Sequence, residues 1–286
     1  MIVKANARLV ISVKAIKDAA TNTLNIHTIV LPIAFEDVIS VDILHRNFMD
    51  IVHYKKKSIH ISEKPVIDEA LRKMRERFNY ADNYGVGIYK NIPTGHGLGS
   101  GASNAMAVMK AVNKLAKIKI PNEEYIAIAQ ELKQDVAYFA YNKPAIFDTL
   151  TQTVTPLKFK HRPHILLIIH PQTMEKKNVL QAYGESGATS TSDLSALKET
   201  IETKSLRDIG AALFNDVAPI ILQKAPDFAD VLAYLKTTNV EAYGLAGTGA
   251  TIFVMSTNKN LLKYISEQYK HQYETVMTKV IEQEHI

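Results

Sequence analysis

Residues 90 to 105 read Lys90-Asn91-Ile92-Pro93-Thr94-Gly95-His96-Gly97-Leu98-Gly99-Ser100-Gly101-Ala102-Ser103-Asn104-Ala105. Before them, Tyr84 to Ile92 has the short apolar composition of a strand; after them, Ala105, Val108, Met109, Val112 and Leu115 recur at helical spacing. A loop carrying Gly95, Gly97, Gly99 and Gly101 therefore joins a strand to the start of a helix. Backbone N–H groups at a helix N-terminus are unsatisfied donors at the positive end of the dipole, and glycines let a phosphate come close to them. A flexible turn needs only one or two glycines, so the alternation predicts a phosphate cradle.

Elimination narrows the kind of cradle. A P-loop needs a lysine followed by Ser or Thr after its last glycine, and none stands there. Gly97 to Ala102 satisfies the relaxed dinucleotide pattern G-x-G-x-x-A, which keeps a nicotinamide-dependent oxidoreductase in view. Against it, the helix is followed by another helix after Pro121-Asn122 rather than by a second parallel strand ending in an acidic residue. Neither Ser100 nor Ser103 has the flanking glycines of a hydrolase nucleophile elbow.

Working outward, Leu9 to Val13, Thr28 to Leu31 and Val38 to Ile43 read as strands of an antiparallel or mixed sheet. Pro65 opens a helix with Val66, Ala70, Leu71, Met74 and Phe78 on one face, and Ala145 to Phe159 returns as strand pieces. From His164 the run Ile165 to Ile169 starts a second unit. Helices follow near Met174 to Ala182, Ser192 to Glu202, Leu206 to Leu222 and Pro226 to Lys236; then come strands near Ala242 and Ile252 and a helix from about Asn258. The pattern is α+β, with a boundary near residue 160.

Composition sets outer limits. The 286 residues suffice for two domains, and an apolar content of 47% supplies their cores. No apolar stretch approaches the roughly 20 residues of a membrane span, and Met1 to Arg8 lacks the layout of a signal peptide, so a cytoplasmic protein is expected. The absence of cysteine excludes disulfides, thiolate nucleophiles and cysteine-bound zinc. The net charge of +5 is scattered, with one tight run, Lys55-Lys56-Lys57, read as a solvated loop; no basic stripe indicates nucleic acid. His161 and His164 flank Pro163 in an expected linker and do not form a metal motif.

The 90 to 105 stretch resembles the central motif of the GHMP kinases, P-x-x-x-G-L-G-S-S-A-S, in the form used by the diphosphocytidyl-methylerythritol kinases. Asp135-Val136-Ala137-Tyr138-Phe139 resembles the family's G-A-D-V-P-F-F segment, followed by Thr155-Pro156-Leu157. Phe214-Asn215-Asp216 resembles its N-D segment, and Gly244 to Phe253 its third motif, G-x-G-x-x-x-F. The matches fall in the family's order and span most of the chain.

The resemblance implies a two-domain GHMP-kinase-like α+β fold: an N-terminal mixed-sheet domain over residues 1–160 and a C-terminal ferredoxin-like domain over residues 161–286. It implies ATP and Mg²⁺ as cofactors and a small-molecule alcohol as acceptor. The leading acceptor is 4-diphosphocytidyl-2-C-methylerythritol, in isoprenoid-precursor synthesis, and the protein is expected to be a monomer or homodimer. Pro93, Gly95, Gly97, Leu98, Gly99, Ser100, Gly101, Ala102, Ser103 and Asn104 would bind the ATP phosphates. Asp135 would accept the proton, and Asn6, Gly247, Thr248 and Gly249 would lie toward the substrate.

The substrate side departs from the pattern. Where the family reads P-A-K-x-N-L, this chain reads Lys4-Ala5-Asn6-Ala7-Arg8-Leu9, which puts Asn6 at the lysine position and Arg8 at the asparagine position. Lys4 or Arg8, on the same side of an alternating strand as Asn6, would supply the missing charge. Asn22-Thr23-Leu24 stands in place of the base-recognising G-Y-H, and Phe147, Tyr138 or His27 are substitutes within reach. Asn142-Lys143-Pro144 and Thr149-Leu150-Thr151-Gln152 replace glycine-containing segments. Two further readings therefore stand: a kinase for another small alcohol, and a diverged relative that binds nucleotide without turnover.

Overall fold

The computed structural model describes residues 1–17, 24–44, 51–54, 64–132 and 135–281. The Lys55-Lys56-Lys57 run and Asn22-Thr23 lie outside them. Among the described residues the first part of the chain forms β1 (Ile2–Lys17), β2 (Leu24–Leu44), β3 (Ile51–Tyr54), α1 (Lys64–Phe78), β4 (Asn83–Tyr89), α2 (Ser100–Ala116), α3 (Asn122–Leu132), α4 (Val136–Tyr141), β5 (Ala145–Asp148) and β6 (Thr153–Pro156). The second part forms β7 (His164–Ile169), α5 (Lys176–Glu185), α6 (Leu194–Thr203), α7 (Leu206–Ala212), α8 (Ala218–Lys224), α9 (Phe228–Lys236), β8 (Ala242–Leu245), β9 (Thr251–Ser256), α10 (Lys259–Tyr269) and β10 (Glu274–Lys279).

The first sheet runs β3-β4-β2-β5-β6 with β1 also paired to β2, and it is mixed because β3 joins β4 in parallel. The runs 28–31 and 38–43, expected as separate strands, are two stretches of the single strand β2. Pro32 lies between them and cannot donate to a ladder; there the pairing shifts from Asn6↔Glu36 to Arg8↔Pro32. That irregularity sits beside Arg8, which becomes central to the site.

The second sheet has the order β10-β7-β9-β8, antiparallel throughout, with helices crossing between β7 and β8 and between β9 and β10. This is the ferredoxin-like arrangement. Two sequence expectations are corrected here. The helix expected over 206–222 is two helices, because Pro219 opens α8 and Asn215 makes a parallel bridge to Val13. The chain also goes on beyond the last expected helix into β10, whose six residues alternate too weakly to announce a strand.

The first sheet ends at Pro156 and the second begins at His164, yet apolar packing is continuous across that point. Leu9, Ile11, Ile29 and Leu31 share one buried cluster with Ile165, Leu167, Ile169 and Phe253. A bridge between Ile33 and Val280 also ties β2 to the chain just after β10. The seam between the two sheets holds the candidate site.

Candidate active site

The glycine loop alternates in structure as it does in sequence. Gly95, Gly97 and Gly99 have φ of 80°, 79° and 76°, in the left-handed region that glycine enters without strain. The side chains between them point inward. The His96 ring nitrogens lie 2.8 Å from the Thr94 carbonyl oxygen and 2.9 Å from that of His170, and Leu98 is buried in the shared apolar cluster. A side chain at Gly97 would meet the Ala246 carbonyl oxygen at 2.7 Å, so this loop and the Gly247-Thr248-Gly249 loop approach backbone to backbone. Gly99 is the N-cap of α2 and offers no capping side chain. The first N–H groups of α2 are therefore left for a ligand.

Behind the loop lies a buried polar network. Asp37, fully buried on β2, accepts from Lys90 Nζ at 2.7 Å, Ser100 Oγ at 2.8 Å and Asn104 Nδ2 at 3.0 Å. It also accepts the backbone N–H groups of Asn91 at 2.7 Å and Ile92 at 2.8 Å. Lys90 additionally donates to Ser100 Oγ. A buried carboxylate is tolerable only when its charge and lone pairs are matched, and here the matching partners are the residues that enter the loop and start α2. Ser103 Oγ donates to the Asn6 carbonyl at 2.7 Å, and the Arg8 N–H to the Leu98 carbonyl at 2.9 Å, which pins the loop to β1 as well.

Asp135 precedes α4 with φ of 67°, and its side chain makes no cap bond to that helix. It is 5% exposed, and two cations hold it. Arg8 Nη2 donates to Oδ2 at 2.5 Å, and Lys176 Nζ lies 3.1 Å from each carboxylate oxygen. Burial alone would raise this carboxyl. The Lys176 ammonium and the Arg8 guanidinium outweigh it and hold the group well below the usual carboxylate range. The Arg8 guanidinium lies 5.9 Å from the Tyr138 ring centre and 5.8 Å from that of Phe139. Its Nε and Nη1 are buried without hydrogen-bond partners among the described residues.

These groups open on one cleft of about 420 Å³. Pro93, Gly95, Gly97 to Ala102, Arg8, Asp135, Gly247 and Thr248 line it. Ser103 and Asn104 do not: their side chains are buried in the anchoring bonds described above. Gly249 supports the loop from behind, where a side chain would run into the backbone of His96 and Gly97. Asn6 also stays out of the cleft, exchanging amide hydrogen bonds with Asn142 at 3.1 and 2.9 Å.

Lys4 is not brought to Asp135. Four residues of extended strand, about 13 Å, separate it from Arg8, and its exposed ammonium pairs with Glu36. The charge at the carboxylate comes from Arg8 and from Lys176, a residue the sequence reading passed over. The signal was present: Lys176-Lys177 opens a helix at its positive end, where cations are unfavourable unless an anion faces them. Asp37 and Lys90 also went unassigned, since two residues so far apart in sequence reveal nothing of their pairing.

The missing glycines are accounted for locally. Asn142 and Gln152 have φ of 51° and 57°, the left-handed geometry a glycine would otherwise serve. Among the described residues there is no group of three or more His, Cys, Asp or Glu able to hold a metal ion. Among the described residues, no helix is long and apolar enough to cross a membrane.

Residues 65–143, which contain the loop, α2 and Asp135, match the family model of the GHMP kinases N terminal domain. That stretch is a GHMP kinase N-terminal domain. The class of such an enzyme is ATP-dependent phosphotransferase. The chain is 24% identical over 259 residues to 4-diphosphocytidyl-2-C-methyl-D-erythritol kinase of Caldicellulosiruptor saccharolyticus, covering 91% of this chain and 89% of the relative. It is 26% identical over 217 residues to the Francisella tularensis protein of that name, covering 74% and 72%. A crystal structure of 4-(cytidine 5'-diphospho)-2C-methyl-D-erythritol kinase superposes with a TM-score of 0.80 at 16% identity, over 99% of this chain and 100% of that one. A mevalonate kinase structure does so with a TM-score of 0.70 at 11% identity, over 99% and 100%. At such identities the superpositions speak for the GHMP kinase fold alone.

Proposed function

We propose that this GHMP kinase transfers the γ-phosphoryl group of ATP to a hydroxyl of a small alcohol, with 4-diphosphocytidyl-2-C-methyl-D-erythritol as the leading acceptor. The observation that carries the reading is one cleft with the open N-terminus of α2 on one wall and the Asp135 carboxylate on another. The N–H groups after Gly99 receive the phosphates. Asp135, held ionised, receives the acceptor hydroxyl proton as the oxygen forms its bond to Pγ. The bond from Pγ to the bridging oxygen breaks, and its electron pair stays on the β-phosphate of ADP.

Arg8 orients Asp135 and brings the Nε edge of its guanidinium against Gly99 of the loop, where charge spreads over the transferred oxygens. The described residues do not build a metal site of their own, and the hydroxyls of Ser100 and Ser103 are committed to Asp37 and Asn6. Magnesium bound with ATP would supply charge neutralisation at the phosphates beside Gly97 to Ala102.

A second reading, a kinase for another small alcohol, is favoured by the cleft lining, where Val10, Ile26 and Met174 are apolar and Thr28 carries a hydroxyl. The test is ATP consumption with Mg²⁺ and the cytidine-diphosphate acceptor, beside Asp135→Asn. Turnover abolished in the variant supports the leading reading. ATP binding without turnover on that acceptor transfers support to another alcohol or to a non-catalytic relative, and no ATP binding overturns the kinase reading.

A further inference from the structure

Two cations meet one buried carboxylate, and they are not equivalent. Arg8 is 10% exposed in its side chain, stacks near two aromatic rings and bonds Asp135 at 2.5 Å. Lys176 is 36% exposed, stands at the cleft wall and reaches both carboxylate oxygens at a looser 3.1 Å. One short ion pair already neutralises Asp135, so the second cation leaves an excess positive charge facing the cavity. Lys176 is also the first residue of α5, where the dipole disfavours a cation, and Glu175 before it makes no side-chain cap. Glu175 itself is exposed and accepts from Asn178 at 3.3 Å, so it does not quench that charge.

The opposite wall is the start of α2, with its left-handed glycines and open N–H groups. A flexible ammonium and a phosphate-receiving helix end therefore face one cavity, and a four-carbon stem lets the ammonium exchange one anion for another. Building on the phosphotransferase reading, we propose that Lys176 is the phosphoryl-facing cation of this kinase: it leaves Asp135 for the γ-phosphate oxygens of ATP as nucleotide enters, and so frees the carboxylate for the acceptor hydroxyl.

Paired with Asp135, Lys176 guards the carboxylate; moved to the nucleotide, it neutralises the terminal phosphate. A carboxylate held by both cations is a poor base, and losing one of them restores part of its basicity. The charge thus comes from the second half of the chain, on α5, rather than from β1, where Asn6 is committed to Asn142. The role is specific to the third phosphate, since only the terminal group lies next to Asp135 during transfer.

The test compares ATP and ADP, each with Mg²⁺, by calorimetric titration of the full chain and of Lys176→Met and Lys176→Arg. The expected result is a loss of about tenfold or more in ATP affinity for Lys176→Met, with ADP affinity kept within about twofold and most of the ATP loss recovered in Lys176→Arg. Equal weakening of both nucleotides, or no change in either, overturns the assignment while leaving the kinase reading intact. Failure of the unaltered chain to bind either nucleotide defeats the kinase reading itself, and this inference with it.

Discussion

Arg8 Nη2 lies 2.5 Å from Asp135 Oδ2 and joins β1 to the residue that opens α4 across 127 positions of sequence. The pair is buried, so the consequences of breaking it extend beyond catalysis. Asp135→Asn keeps the shape and removes the charge. Turnover is expected to fall by about 10²- to 10⁴-fold, the range of a lost proton acceptor. Stability is expected to fall by about 3 kcal/mol, because a buried guanidinium is left unpaired. Replacing Arg8 by Met in the same chain should return part of that stability and none of the turnover. Denaturant melts and acceptor assays read the two effects separately.

The depressed carboxyl also sets a pH dependence. The pKa of Asp135 is lower in the folded chain than in the unfolded one, so its stabilising contribution is fully present above the ordinary carboxylate pKa. It is lost as pH falls through the folded value, below about pH 4. The groups facing the carboxylate are Lys176 and Arg8. The acid limb of kcat/KM in the nucleotide-free enzyme should lie below the ordinary carboxylate range and move upward in Lys176→Met. An acid limb above pH 5 in the unaltered chain would contradict a doubly paired Asp135.

Much of this site was legible from residues that act through their own backbone or immediate neighbours. Gly95, Gly97 and Gly99 announced a loop of positive φ by their alternation, and Asp135 was singled out through the motif around it. Ser103 and Asn104 were harder to place. A hydroxyl or amide in a phosphate motif reads as a ligand group, and only tertiary structure shows it turned inward to Asn6 or Asp37. Lys4 and Arg8 share a strand face, so alternation alone could not choose between them. Lys176 came from the other half of the chain, where a local sequence window holds no trace of Asp135. The fold followed the same division: β7 and β9 were plain as apolar runs, whereas β10 takes its identity from pairing with β7.

The contact between the two glycine loops makes Gly97 sensitive for two independent reasons. A methyl group there would sit at φ of 79° and 2.7 Å from the Ala246 carbonyl oxygen. Gly97→Ala is expected to cost about 2 kcal/mol, counting left-handed strain and the forced separation of the loops. It should also weaken ATP binding by about tenfold or more. Gly184→Ala is the control: Gly184 lies in α5 with open space around its Cα, so alanine should stabilise the chain by about 0.5–1 kcal/mol. Thermal melts and ATP titrations of the pair separate a loop effect from a general glycine effect.

Lys90 and Asp37 test whether the cradle depends on what lies behind it. Lys90→Met leaves a fully buried carboxylate with hydrogen bonds but no countercharge, at a cost of about 3–5 kcal/mol. Because Asp37 also holds the N–H groups of Asn91 and Ile92, the loop should shift and ATP affinity fall as well. The double change Lys90→Met with Asp37→Asn removes both charges and is expected to be more stable than Lys90→Met alone. A double variant no more stable than Lys90→Met would show that Asp37 is not relying on Lys90 for compensation.

Asn6 offers the most direct test of how the β1 departure is tolerated. Its amide donates to Asn142 Oδ1 at 3.1 Å and accepts from Asn142 Nδ2 at 2.9 Å, and Asn142 is itself the left-handed residue that ends α4. Asn6→Lys would delete both bonds and add a third cation on the strand face that already presents Arg8 to Asp135. Repulsion from Arg8, together with the loss of the two amide bonds to Asn142, should cost about 1–3 kcal/mol. Turnover should not rise, because Arg8 already orients Asp135 and Lys176 already supplies the phosphate-facing charge. Pairing Asn6→Lys with Lys176→Met removes the surplus cation, and this double variant should recover activity relative to Lys176→Met alone if a lysine on β1 can take over the phosphate-facing charge. Turnover that rises in Asn6→Lys by itself would mean that the two existing cations leave Asp135 short of charge, and that Lys176 serves the fold rather than the transferred phosphate.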